Sequence, residues 1–235
     1  MGAQQMHAAV LHAIGETLRY EPFPVPVAGD GEAVVTVTAA ALKPSDRLRA
    51  NGAHYAPAAV PQVVGLDGVG RLADGSRVAF FIPQQPYGGM AEQALVRAGV
   101  WLPVPDGADD VTAAAFLNPG VVLVGMSAGE VAGLPAMALR AAPVQIFGSG
   151  IGGRAGLAES AAAFESLLEM AAAGEITLDV DPVLLSGVEK AWAHPDGGRR
   201  VVFVPLPGSP CPRRAKSGPD GAAQPASHAM DDLSR

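Results

Sequence analysis

The sequence predicts an α/β protein of α+β type in two parts: a β-rich barrel or sandwich, followed by a short α/β unit. Three observations carry this prediction. Over residues 7–105, β-compatible runs alternate with Gly- and Asp-containing turn signals. After Asn118-Pro119-Gly120 the pattern changes to short, fully apolar runs, as in strands buried on both faces. An alanine-rich segment from Leu157 to Ala173 then carries helical spacing.

The elements follow in order. "HAAVLHAI" (7–14), "EAVVTVTAAAL" (32–42) and "RVAFFIP" (77–83) read as strands. Ala28-Gly29-Asp30-Gly31, Ala73-Asp74-Gly75 and Tyr87-Gly88-Gly89 read as the turns between them. "MAEQALV" (90–96) is a further strand leading towards Trp101-Leu102-Pro103-Val104-Pro105. Asp109 and Asp110 precede "VTAAAFL" (111–117), a short helix with acidic residues at its positive end. "VVLVG" (121–125) and "VQIF" (144–147) are buried strands on either side of a short helix from Pro135 to Arg140. In the following helix Leu157, Phe164, Leu167, Leu168 and Ala171 fall near one face, and Gly174 is a natural stop. "EITLDV" (175–180) returns to strand character. Ser186 and Glu189 have capping-box spacing before a short helix through Trp192. "RRVVFVP" (199–205) is a last strand. Residues 206–235 are rich in Pro, Gly, Ser and Ala, and are expected to form a disordered tail.

Composition narrows the function classes. The chain has 235 residues, 49% of them hydrophobic, enough for one large domain or two small ones. Its net charge is −7, its pI is about 5.1 and it has no Lys/Arg run, so no nucleic-acid partner is expected. The single cysteine, Cys211, argues against a disulfide framework or a Cys-based zinc cluster. Residues 1–7 lack signal-peptide character, and every apolar segment is interrupted well before about 18 residues. A cytoplasmic protein without a membrane span is expected.

Four groups of residues could carry chemistry. Gly148, Gly150 and Gly153 spell G-x-G-x-x-G after the β-like run 143–147, with Asp179 and Asp181 on or after the next strand. The same glycines also suit an ordinary loop that needs positive φ. Gly125-Met126-Ser127-Ala128-Gly129 matches a nucleophile elbow, for which Asp179 or Asp181 and then His194 would complete a serine-hydrolase triad. Against that reading, Gly129, Gly133 and Pro135 oppose an immediate helix. His7, His12, His54, His194 and His228 show no ligand spacing, so no metal site is expected. Tyr55, Tyr87 and Lys43 could donate to a substrate carbonyl, with Asp46 beside them. Turn chemistry and half-burial explain the same residues, and Asp46 also suits a turn or helix cap.

Several segments occur in a familiar succession: 7–55 with "ALKPSDRLRANGAHY", then "PQVVGLDGVGRLADGSRVAFF", "YGGMAEQALV" and "WLPVPDGADDVTAAAFLNPG". Together they resemble the medium-chain dehydrogenase/reductase superfamily, in its zinc-independent quinone oxidoreductase-like branch. The resemblance implies a GroES-like catalytic domain over 7–119, completed by about 175–205. Residues 120–174 resemble only the last strands and loops of the family's Rossmann domain, so this part is a truncated Rossmann-like remnant. Zinc ligands of related alcohol dehydrogenases match Lys43 and the stretch Gly65-Leu66-Asp67, which implies no zinc. The implied activity is NADPH-dependent reduction of a quinone, enal or enone, impaired or lost because the family's pyrophosphate-binding turn has no counterpart before Val121. Gly125, Met126, Ser127, Gly148 and Ser149 match loops at the nicotinamide end. The partner implied is a small carbonyl compound or quinone, bound by an active enzyme or by a non-catalytic pseudo-enzyme. In relatives the strand matching 143–147 lies at a dimer edge, which implies a homodimer through it.

Overall fold

The protein is described by a computed structural model covering residues 4–53, 57, 59–117, 157–194 and 199–205. Strand β1 (Gln5–Leu11) lies between β2 (Arg19–Pro24) and β4 (Gln62–Val63) in a three-stranded antiparallel sheet. Among the described residues the larger sheet has seven strands and is organised around β3 (Glu32–Ala41). Glu32–Thr36 of β3 run antiparallel to β7 (Gln93–Arg97), and its far end, Ala40 and Ala41, pairs with β10 (Arg200–Val204). On its other side β3 pairs with β5 (Asp67–Arg71), with a register shift between Val37 and Ala39. β6 (Arg77–Phe81) and β8 (Trp101–Pro103) continue outward from β5. β9 (Val180–Leu184) runs parallel to β10 at the opposite edge.

Alternation along these strands builds two cores on opposite faces of the sheet. Val37, Ala40, Val78, Phe80, Val201 and Phe203 point to one core, which also holds Leu11, Leu185 and Trp192. Their neighbours Ala39, Ala41, Val69, Ala79 and Val202 point to the other. That second core is covered by two helices, α2 (Asp110–Phe116) and α3 (Leu157–Ala172), through Val111, Ala114, Phe116, Phe164 and Leu168. Because both faces are covered, β10 reads as an unbroken apolar run.

Most elements lie where pattern places them. Asp109 caps α2 by accepting the Thr112 N–H at 2.8 Å. Gly174 takes φ +74° just after α3, the left-handed geometry that terminates helices. Gly31 and Gly75 likewise take positive φ in their turns. Two expectations are corrected. "EITLDV" contributes only Val180 to a strand, and the strand instead runs on through Pro182 to Leu184. Proline is tolerated there because β9 pairs on one side only among the described residues. The Ser186–Glu189 capping box does not form either. Residues Leu185–Gly187 make a 3-10 turn, Gly187 caps α4 (Val188–Ala193) without a side-chain bond, and Glu189 instead accepts the Tyr20 N–H at 3.2 Å. The expected strands 121–125 and 143–147, the helix 135–140 and the tail 206–235 lie outside the described residues. Among the described residues no helix is long and apolar enough to cross a membrane.

Candidate functional site

The end of β3 delivers Lys43 to the N-cap of a short helix, α1 (Pro44–Ala50). Pro44 suits the first helical position, where its missing N–H costs nothing and its φ is already helical. Asp46, three residues after the cap, is 1% exposed. One carboxylate oxygen accepts the Lys43 N–H at 2.9 Å, and the other accepts the Leu66 N–H at 3.2 Å. Asp46 is thus a helix-capping residue that also fastens α1 to the Gly65–Asp67 segment. The Lys43 side chain turns inward, and its ammonium donates to Asp67 at the start of β5; both side chains are buried. Two positions that the resemblance equates with zinc-ligand positions are therefore joined by an ion pair.

Two carboxylates and one ammonium share this interior, so full ionisation leaves one surplus negative charge. Burial pushes the Asp46 carboxyl up to about 6; the Lys43 ammonium opposes this, and the Asp67 carboxylate adds to it. Burial also raises Asp67, against the pull of Lys43 and Arg200. Over the interval between the ordinary value of 3.8 and about 6, the folded protein keeps a proton on Asp46 that the unfolded chain has lost. Stability from this group is therefore complete below the ordinary value and declines as pH rises through about 6, by on the order of 3 kcal/mol. Asp46→Asn is expected to flatten that decline in urea-unfolding midpoints taken across the window. Parallel slopes for wild type and variant would show that Asp46 titrates normally.

Arg47 performs a different task. Its guanidinium donates to the Trp192, Ala191 and His194 carbonyls at the end of α4 and lies 5.1 Å from the Trp192 ring centroid. This couples the first helix to the last through the exposed carbonyls of a helix C-terminus.

Beside the buried charges lies a cavity of about 490 Å³. Its walls come from α1, the segment 62–66, the loop 82–87 and the end of β7, and include Asp46, Arg49, Gln62, Tyr87 and Arg97. Glycine makes the floor feasible. Gly65 takes φ +111°, and its carbonyl accepts the Gly89 N–H at 2.9 Å. A Cβ on Gly89 would come 2.2 Å from the Asp67 carbonyl oxygen. Ile82, also on the wall, holds φ +48°. That conformation is costly for a β-branched residue, and here the Ile82 N–H donates to Leu66 O at 2.7 Å.

The structure therefore places Asp46 and Tyr87 on one cavity wall, with Lys43 buried behind Asp46 and Tyr87 packed edge-on against Phe23 at 6.0 Å. Tyr55, Gly125, Met126, Ser127, Gly148, Ser149, Gly150 and Gly153 lie outside the described residues. The acid and histidine suggested for Ser127 are not brought together. His194 Nδ1 lies 2.8 Å from Lys190 O, while Asp179 and Asp181 pair with Arg199. Sequence reasoning missed Arg49, Gln62 and Arg97, because nothing local distinguishes a cavity-lining arginine from a solvated one. Among the described residues no group of three or more His, Cys, Asp or Glu side chains is placed to hold a metal ion.

No protein-family model matches the chain. No curated protein matches it. Among solved structures it is similar to the quinone oxidoreductase from Thermus thermophilus, also solved with NADPH. That pair is 37% identical over 48% of this chain and 37% of the other, with a TM-score of 0.44. The mycobacterial protein Rv1454c, solved with NADPH, is 26% identical over 49% of this chain and 38% of that one, with a TM-score of 0.43. The chain thus spans about two fifths of the length of these two proteins. The quinone oxidoreductase from Coxiella burnetii aligns over 86% of this chain and 99% of its own, at 14% identity and a TM-score of 0.56. At that identity the likeness is one of fold: the chain shares the mixed α/β fold of a solved quinone oxidoreductase.

Proposed function

We propose that this chain is a zinc-independent oxidoreductase of the quinone or enone reductase type, built on a GroES-like domain with a truncated Rossmann-like remnant, whose hold on NADPH is weak. The observation that carries the reading is the cavity between α1 and the 82–87 loop, in a fold shared with a quinone oxidoreductase. It has the size of a small-molecule site and mixes apolar walls with a few polar groups. The zinc-independent reading is supported by Lys43 and Asp67, because an ammonium held by a carboxylate offers a metal no lone pair.

NADPH fits the described residues poorly. Its pyrophosphate calls for a glycine-rich turn between a strand and a helix N-terminus. Among the described residues, strands lead into helices at 42–44, 104–110 and 185–188. The first has no glycine, the second presents Asp106, Asp109 and Asp110, and the third has the single Gly187. Acidic residues at a helix start repel a pyrophosphate. No catalytic step is therefore routed through the cofactor. The chain's own contribution is a cavity whose floor is fixed by Asp46 and the Gly65–Gly89 contact.

Calorimetric titration with NADPH tests this reading. No saturable heat is expected up to millimolar cofactor, and a low-micromolar Kd would overturn the weak-cofactor proposal. The same cavity favours a second reading, a non-catalytic small-molecule-binding protein. Ligand-induced thermal shifts without NADPH consumption in the presence of a quinone would favour it. Association of two copies through 143–147 belongs to the proposal as well, and sedimentation as a monomer at all concentrations would remove it.

A further inference from the structure

The cavity's charge identifies a ligand class narrower than a small carbonyl compound. Arg49 and Arg97 line it from separate elements, the end of α1 and the end of β7. Neither side chain is engaged by a carboxylate among the described residues. The contrast with neighbouring arginines is informative. Arg47 is bound to three carbonyls and Trp192, and Arg77 donates to Asp110, Pro105 O and Ala108 O. Arg49 is partly buried, and Arg97 is exposed at the end of β7. Among the described residues the one acid on the wall is Asp46, which accepts the Lys43 and Leu66 N–H groups and is outnumbered by the two arginines. The remaining polar side chains on the wall, among the described residues, are neutral: Gln62, Gln84, Gln85 and Tyr87. Val63, Val64, Leu66, Ile82 and Pro83 supply apolar surface.

We infer that the cavity binds a small ligand with an apolar body and a carboxylate, the acid group read by Arg49 and Arg97. The inference rests on the small-molecule reading of the cavity above and adds the charge of its ligand. Guanidinium groups are suited to planar carboxylates because their N–H donors form a fork that matches two oxygens. Ile82 presents apolar surface on the same wall from a strained backbone, which is the kind of local cost that persists where surrounding contacts over-determine it.

The test compares trans-cinnamate with trans-cinnamamide, which match in shape and differ in charge, by calorimetry at low ionic strength without NADPH. Cinnamate is expected to bind at least about tenfold more tightly, the equivalent of one charge-assisted hydrogen bond. The preference is expected to shrink as salt is added. Arg49→Gln and Arg97→Gln should each reduce it, and Arg19→Gln, which does not line the cavity, should leave it intact. Arg97 is exposed, so its variant tests the idea even where Arg49→Gln impairs folding. Equal affinity for the two probes, tighter binding of the amide, or no binding of either to a cooperatively melting protein would overturn the inference. Since no cofactor or turnover enters, weak NADPH binding can hold while this fails, and the reverse.

Discussion

Replacing Lys43 by Met is expected to destabilise the protein by about 3–5 kcal/mol, the usual consequence of removing one partner from a buried ion pair. The substitution keeps the aliphatic stem and deletes the ammonium, leaving Asp67 buried without its cation. Asp67, already raised by burial, then shifts further towards its neutral form. The loss should therefore be smaller in acid, where Asp67 is protonated, and grow towards neutral pH. Adding Asp67→Leu should restore most of the stability, because an apolar pair of similar volume avoids the desolvation of two ions. Urea unfolding of the single and double variants measures both effects. A Lys43→Met protein as stable as wild type but unable to bind or turn over a ligand would instead identify Lys43 as a donor to that ligand.

Phe80→Ala is expected to cost about 3–5 kcal/mol through the cavity it leaves. Phe80 is fully buried and stands opposite Gly68 in the β5–β6 pairing. A Cβ on Gly68 would come 2.7 Å from the Phe80 Cζ, so the ring occupies the space that glycine leaves open. Gly68→Ala alone should destabilise by about 1–3 kcal/mol through overpacking. Combined with Phe80→Ala, the added methyl fills part of the void, and the double variant should lose less than the sum of the two single losses. Additive losses in chemical denaturation would show that ring and glycine act independently.

These two sites also explain which parts of the fold were legible in the chain and which were not. β1, β3, β6, β7 and β10 follow from apolar runs bounded by turns, α2 from the acidic pair Asp109-Asp110 at its positive end, and α3 from its helical spacing and a stop at Gly174. β2 escaped notice because Arg19-Tyr20-Glu21-Pro22-Phe23-Pro24 is charged and proline-rich, a composition tolerated at the sheet edge it occupies. β5 escaped because Asp67-Gly68-Val69-Gly70-Arg71 has poor strand propensity. Its glycines answer to distant neighbours: Gly68 admits Phe80, and a Cβ on Gly70 would come 2.3 Å from Thr36 O.

The candidate site shows the same division. Lys43 and Asp46 stood out for their chemistry, and a capping role for Asp46 was readable from spacing alone. The use of Lys43 was not, because its partner Asp67 is 24 positions away and meets it only when β5 docks beside β3. Arg49 and Arg97 line one cavity for a similar reason: the fold, and no local pattern, brings α1, the 82–87 loop and the end of β7 to the same wall. Periodicity, turns and caps are properties of neighbouring residues, and they establish an α/β chain with a β-rich first half. Burial of charge, the shape of the cavity and the need for glycine at 68, 70 and 89 depend on which backbones approach one another, which only the packed structure decides.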